Sequence, residues 1–142
     1  MNNVVIIDKK TFNLSIDKEK STLYITVHMN KFDREEYSLC WEYFKNFWIL
    51  AQENKKKYYM VFNILEIAIF PLDLLEQFKN NLTGLHDVFS ECLNSSVLIT
   101  KNDFARTILK PIILSYKTAR PFTLVKDTVE AHDFFSKPSN NL

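Results

Sequence analysis

The run Tyr-Tyr-Met-Val-Phe-Asn-Ile-Leu at residues 58–65 constrains this chain more than any other stretch. It is apolar almost without interruption, so it predicts a central strand in a sheet covered by helices on one or both faces. The continuation, Glu-Ile-Ala-Ile-Phe-Pro-Leu-Asp, hands the chain to a helix, with Pro71 in the first turn where its missing amide costs nothing. A chain of 142 residues is long enough to bury such a strand, since a domain of this size hides roughly two thirds of its unfolded surface. One domain over residues 1–137 and a frayed tail at 138–142 are expected, with no linker or internal repeat.

The flanking elements arrange themselves around that strand. Residues 11–17 alternate, with Phe12, Leu14 and Ile16 on one side, and residues 22–29 repeat the pattern with Leu23, Ile25, Val27 and Met29. The polar Lys-Glu-Lys-Ser at 18–21 joins them as an antiparallel hairpin, and residues 4–7 add a short edge strand. Asp33 opens a helix with Glu36 three residues on, the spacing of a capping box. Tyr37, Cys40, Trp41, Phe44, Trp48 and Ala51 then follow at three- and four-residue intervals as its apolar face, which Leu39, Tyr43, Phe47 and Leu50 widen enough for deep burial or a second contact. The lysines at 55–57 close it.

A second helix over residues 72–91 would bury Leu75, Phe78, Leu82, Leu85 and Phe89, with Gly84 able to split it. A buried strand at 96–100 leads to a third helix, capped by Asn102 or Asp103 and kinked at Pro111. It turns Phe104, Ile108, Ile112 and Tyr116 inward and lines up Arg106, Lys110 and Lys117 as a basic stripe. A strand at 122–125 and a helix at 128–136 finish the order. Strands separated by helices must return in the same direction, so the expected fold is α/β, with a mixed, mainly parallel sheet of about five strands behind an N-terminal hairpin.

Several function classes fall away. With one glycine in the chain there is no phosphate-cradling loop, and no nucleophile elbow or carboxylate pair stands out, so no enzymatic activity is expected. His28, His86 and His132 lie on different elements without metal-ligand spacing, and no metal or cofactor is implied. Cys40 and Cys92 read as buried thiols in a reducing compartment. The amino terminus lacks a basic start and a long apolar run, and no segment reaches membrane-spanning length, so a cytoplasmic protein is expected and the glycosylation triplets at Asn13, Asn81 and Asn94 are chance matches. A net charge of +1 gives no whole-molecule case for nucleic acid, and the basic stripe is too short, and too poor in interleaved aromatics, for nucleic acid or a membrane surface. Charge is nonetheless segregated: residues 101–126 hold six basic groups and one acidic, residues 66–91 five acidic and one lysine, which suits contact with an acidic protein surface or with the acidic helix of a second copy.

The last third of the chain carries a resemblance. Its short apolar strand, amphipathic helix, strand beginning Pro-Phe and final Asp-Thr-Val-Glu-Ala-His-Asp-Phe-Phe look like the ending of STAS-type domains, the fold of bacterial anti-sigma-factor antagonists and their stand-alone relatives. The element order agrees over nearly the whole chain. The resemblance implies a compact regulatory or protein-binding domain whose switch is a phosphorylatable Ser or Thr in the loop after the central strand, equivalent here to residues 67–75. This chain has Phe70, Pro71, Leu72, Asp73 and Leu74 there and no hydroxyl between Met60 and Leu82, so the switch does not carry over. What remains is a non-catalytic interaction module with a protein partner, a homodimer included, contacting it through Phe70, Leu72, Asp73, Arg106, Lys110 and Lys117. Two rivals use other features: an apolar-ligand or lipid site lined by Trp41, Phe44, Trp48 and Phe70, and a structural part of a larger assembly such as a virus particle.

Overall fold

The computed structural model describes residues 3–28, 33–65, 72–101, 103, 106–107, 110–111 and 121–136. Its elements run β1 (Asn3–Asp8), β2 (Phe12–Asp17), β3 (Thr22–His28), α1 (Arg34–Glu53), β4 (Tyr58–Leu65), α2 (Leu72–Gly84), α3 (His86–Cys92), β5 (Leu93–Ile99), β6 (Phe122–Val125) and α4 (Thr128–Ser136). Residues 103, 106, 107, 110 and 111, between β5 and β6, are also helical. The six strands form one sheet in the order of the chain, β1-β2-β3-β4-β5-β6. The first two pairings are antiparallel and the last three parallel, so the fold is the expected mixed, mainly parallel α/β sheet, with the N-terminal strand raising the count to six.

Register shows why each strand faces as it does. Leu23, Ile25 and Val27 of β3 pair with Met60, Phe62 and Ile64 of β4, and Met60 and Phe62 continue to Ser96 and Leu98 of β5. These residues share one face with Phe12 and Leu14, and α1 and α3 pack on it. The uninterrupted apolar run of β4 arises because its other face is covered as well: Val61, Val97, Ile99 and Val125 form a second core under Ala131 of α4, flanked by Phe134 and Phe135. That arrangement accounts for the Asp-Thr-Val-Glu-Ala stretch. Asp127 Oδ1 accepts the Glu130 amide at 2.9 Å, Glu130 Oε1 accepts the Lys126 amide at 2.8 Å, and the alanine after this reciprocal clamp is small enough to seat the helix on the sheet.

The buried residues of α1 are those its periodicity predicts, Tyr37, Cys40, Trp41, Phe44, Trp48 and Ala51. Edge-to-face contacts tie the stripe together and to its neighbours, Trp41 to Phe44 at 4.9 Å and Trp48 to Phe89 of α3 at 5.2 Å, while Phe62 of β4 stacks on Phe122 of β6 at 6.2 Å. Leu39 and Phe47 pack at the margin of the core, but Leu50 remains 55% exposed, so the wider face is only partly used.

Three features differ from the sequence pattern. The second helix breaks at Gly84 and Leu85 into α2 and α3, and Leu74 is buried along with Leu82, Leu85 and Phe89. β5 starts at Leu93, directly at the end of α3, rather than at residue 96. The capping box of α1 is half diverted: Asp33 Oδ1 caps the amides of Glu35 and Glu36 at 2.9 and 3.1 Å, but Glu36 Oε1 accepts from the Thr11 amide at 3.1 Å and the Thr11 hydroxyl at 2.6 Å. Helix capping and the start of β2 are thereby joined. At the other end, the Lys55 amide bonds Gln52 O at 3.2 Å and the Lys56 amide bonds Ala51 O at 2.9 Å, the double bond of a Schellman turn. It places Lys55 at φ 54°, where glycine is the favoured residue. Expectations on Met29, Pro71, Phe104, Ile108, Ile112, Tyr116 and the tail at 138–142, and on the side chain of Leu75, lie outside the described residues; Pro111 itself is helical.

Two stability measurements follow. Glu36→Ala leaves two Thr11 donors without their acceptor and lowers the unfolding free energy by about 1–3 kcal/mol in denaturant titration. A double-mutant cycle with Thr11→Val returns a coupling of about 0.5 kcal/mol or more, whereas additive effects would mean that the two side chains act independently. Lys55→Gly relieves the left-handed conformation and raises stability by roughly 0.5–1 kcal/mol; a loss would show that the lysine side chain contributes contacts that outweigh the backbone preference.

Candidate functional site

The sequence-predicted contact residues separate into two places. Asp73, in the first turn of α2, is exposed, and its carboxylate accepts from Arg34 Nη1 in the first turn of α1. That guanidinium holds the Asp73 carboxyl below the usual carboxylate range. Asp73 is therefore engaged within the chain, as a link between the starts of two helices. Phe70 and Lys117, and the side chain of Leu72, lie outside the described residues.

Arg106 and Lys110 stay together. They are one helical turn apart, in a helix whose first turn is marked by the Thr107 hydroxyl bonding Asp103 O at 2.9 Å. With Asp103 and Thr107 they form one wall of an open groove of about 500 Å³, and Phe122, Thr123 and Leu124 of β6 form the other. Arg106 Nη1 is shielded from solvent and has no hydrogen-bond partner among the described residues. Sequence reasoning found the basic helix but missed the strand wall. Its only signal was the position of residues 122–125 at the end of the element order, which in a sheet wound in one direction puts that strand at the edge.

The rest of the surface offers less. Strands β3 to β6 lie in chain order, with α1, α2 and α3 packed on one core, so among the described residues the parallel strands contain no point where the strand order reverses, the feature that opens a ligand crevice in doubly wound sheets. An apolar cavity lined by Ile25, Tyr37, Cys40, Trp41, Phe44 and Phe78, among others, measures about 20 Å³, the scale of one water molecule rather than a lipid chain. Of the proposed lipid-site residues, Trp41 and Phe44 reach it, Trp48 does not line it, and Phe70 is outside the described residues. Among the described residues no three His, Cys, Asp or Glu side chains gather as metal ligands, and no helix is long and apolar enough to cross a membrane.

The two acids at the cavity are held neutral. Burial pushes the Cys40 thiol up to about 12 and raises the Tyr37 phenol well above its ordinary value. The Trp41 indole N–H opposes the latter effect, yet it lies outside hydrogen-bonding geometry and has no acceptor among the described residues. The Tyr37 hydroxyl makes a long 3.4 Å bond to Leu74 O, which ties α1 to α2. A thiol kept protonated is a poor nucleophile, so these groups read as packing. Because Cys40 ionises at about 12 when folded against an ordinary 9.0, the unfolded chain releases its proton first, and stability falls as pH rises through that window. Equilibrium unfolding across alkaline pH measures the fall. At about pH 8 a thiol-specific reagent reacts with Cys40 only after unfolding; rapid reaction of the folded protein would mean an accessible thiolate.

Comparison with protein-family models, curated proteins and solved structures finds no match to this chain.

Proposed function

We propose that the chain is a non-catalytic, STAS-like protein-interaction module of the cytoplasm that holds its partner in the basic groove beside β6. The carrying observation is the convergence of Arg106 and Lys110 with the edge strand β6 in one open groove. Two cations one helical turn apart at an open groove favour a partner that brings carboxylates to them. The element order and the Glu130-Ala131 clamp of α4 support the STAS-like part of the reading. The absence of a hydroxyl between Met60 and Leu82 separates it from the phosphorylation switch of that family.

A partner other than a second copy is the simpler reading: of the acidic residues of α2 and α3 on which self-association through charge would draw, Asp73 is paired with Arg34 and Glu91 accepts from Gln52 at 3.0 Å within the chain, which leaves the exposed Glu76 and Asp87. Native mass spectrometry over a concentration series addresses this directly: a monomer throughout is expected, and a dimer mass growing with concentration would restore the homodimer.

The groove itself is tested by Arg106→Glu with Lys110→Glu. A partner recovered from the source organism with the wild-type chain should be lost with the double variant, while its thermal midpoint stays within a few degrees, as for surface substitutions generally. Equal recovery by both proteins would remove the groove from the reading, and collapse of the fold would make the two cations structural.

A further inference from the structure

The geometry points to a second docking surface: the outward stripe of α1, Leu39, Tyr43, Asn46 and Leu50, takes an amphipathic helix of another protein, antiparallel to α1, with acidic residues in its first turn and basic residues toward its end. This goes beyond the basic groove, to which neither α1 nor α2 contributes.

The buried face of α1 centres on Phe44 and Trp48. The four stripe residues lie roughly 100–160° around the helix from Phe44, on the side turned away from the sheet. Leu50 is 55% exposed and Tyr43 37% exposed, with Leu39 half-buried beside them, on a face that an ordinary surface helix fills with polar residues. Their spacing of four, three and four residues is the stagger with which a seam keeps facing a second helix, and one polar residue such as Asn46 within it serves to fix register. Beside the stripe an open groove of about 730 Å³ runs between α1 and α2, with Leu39, Glu42 and Tyr43 on one wall and Gln77 and Asn81 on the other. A helix laid on the stripe therefore meets an apolar seam with a polar rim along one flank.

Charge sets the direction. Glu35 and Glu42, both exposed, stand seven residues apart on that flank, while the exposed Lys55, Lys56 and Lys57 outnumber Glu53 at the end of α1. An antiparallel helix brings its first turn to the lysines and its later turns to the two glutamates. Carboxylates at its start and lysine or arginine toward its end then complement α1 and its own dipole together. A second copy meets the stripe less well. From Leu39 to Leu50 is about 16 Å, and two folded domains touching along three apolar side chains each fall well short of the roughly 800 Å² per partner of a stable interface. A helix outside a packed face can also enter the groove between α1 and α2.

The test uses the full chain and a fluorescein-labelled three-heptad peptide with leucine at the same four-three-four spacing, glutamate in its first turn, lysine beside the leucines of its second half and alanine elsewhere, followed by fluorescence anisotropy. Saturable binding is expected, weaker by about tenfold or more in Leu50→Glu and weakened again when glutamate and lysine are exchanged in the peptide. The thermal midpoint of Leu50→Glu should stay within a few degrees of wild type, as for surface substitutions generally; loss of the fold would make this leucine structural and overturn the proposal. A nitroxide at the peptide's amino terminus reads direction, with nuclear magnetic resonance broadening expected at the amides of Lys55, Lys56 and Lys57; broadening at Glu35 instead would overturn the antiparallel arrangement. No saturable binding, equal binding by Leu50→Glu, or equal binding by a peptide of the same composition with its leucines scrambled would each overturn the stripe as a helix site. A dimer of the chain that Leu50→Glu abolishes would assign the stripe to a second copy and overturn it too. Arg106→Glu with Lys110→Glu should leave peptide binding unchanged, so the basic groove and this surface stand or fail separately; loss of binding there would move the peptide to the groove.

Discussion

Burial of the α1 aromatic stripe against one face of the sheet is the interaction on which the rest of this structure depends. Trp41, Phe44 and Trp48 supply large apolar surfaces, and Trp48 is 0% exposed. At roughly 25 cal/mol for each Å² removed from water, each such ring outweighs any surface ion pair in the molecule. The stripe has a second role through geometry. Trp48 reaches Phe89 of α3, and Phe44 reaches Phe62 of β4, so one helix fixes both the central strand and the helix that leads into the next. The polar tie from Glu36 to Thr11 sets where that helix begins relative to β2, and the Schellman turn at Lys55 sets where it ends before β4. Packing supplies the energy, and the caps supply the register.

The order of the strands turns this packing into a one-sided protein. Each parallel strand is laid beside the previous one, so α1, α2 and α3 all serve one face and its large core. The other face would leave Val61, Val97, Ile99 and Val125 wet, and α4 exists to cover them. Because α4 is only nine residues long, its cover thins toward β2 and β3, where the same face reads Asn13, Ser15, Asp17, Thr22, Tyr24 and Thr26 and Tyr24 packs against the margin of that core. The strands that read as alternating in sequence lie at or beyond the margin of that second core, and the apolar run of β4 lies over its Val61.

Element type and order were therefore legible from periodicity, and the core of α1 was legible residue by residue. Features that depend on competition between partners were not. Nothing in Asp-Arg-Glu-Glu distinguishes a glutamate that closes its own capping box from one that reaches to Thr11, because the choice depends on a strand twenty-five residues away. Gly84 is visible as a weak point in a long helix, but it is not visible that the second piece runs only from His86 to Cys92 before β5 begins at Leu93. By its position in the chain Asp73 belongs with the contact residues, and only the approach of Arg34 shows it to be engaged within the fold. Arg106 and Lys110 were visible as a stripe; the strand that makes their stripe a groove was not, since four residues such as Phe-Thr-Leu-Val carry no mark of being an edge.

That edge is also where the molecule departs from what stability alone would favour. An arginine on an outer helix can extend its guanidinium into water at almost no cost, and long cationic side chains ordinarily do. Arg106 instead keeps one terminal nitrogen out of solvent, in a groove whose one acidic wall residue among the described residues is Asp103, without a hydrogen bond to it. Large cores are insensitive to such a detail, and the aromatic stripe of α1 leaves ample room for it. Two like charges one helical turn apart repel each other in the isolated chain, and carboxylates brought by a partner to the open groove would relieve that repulsion.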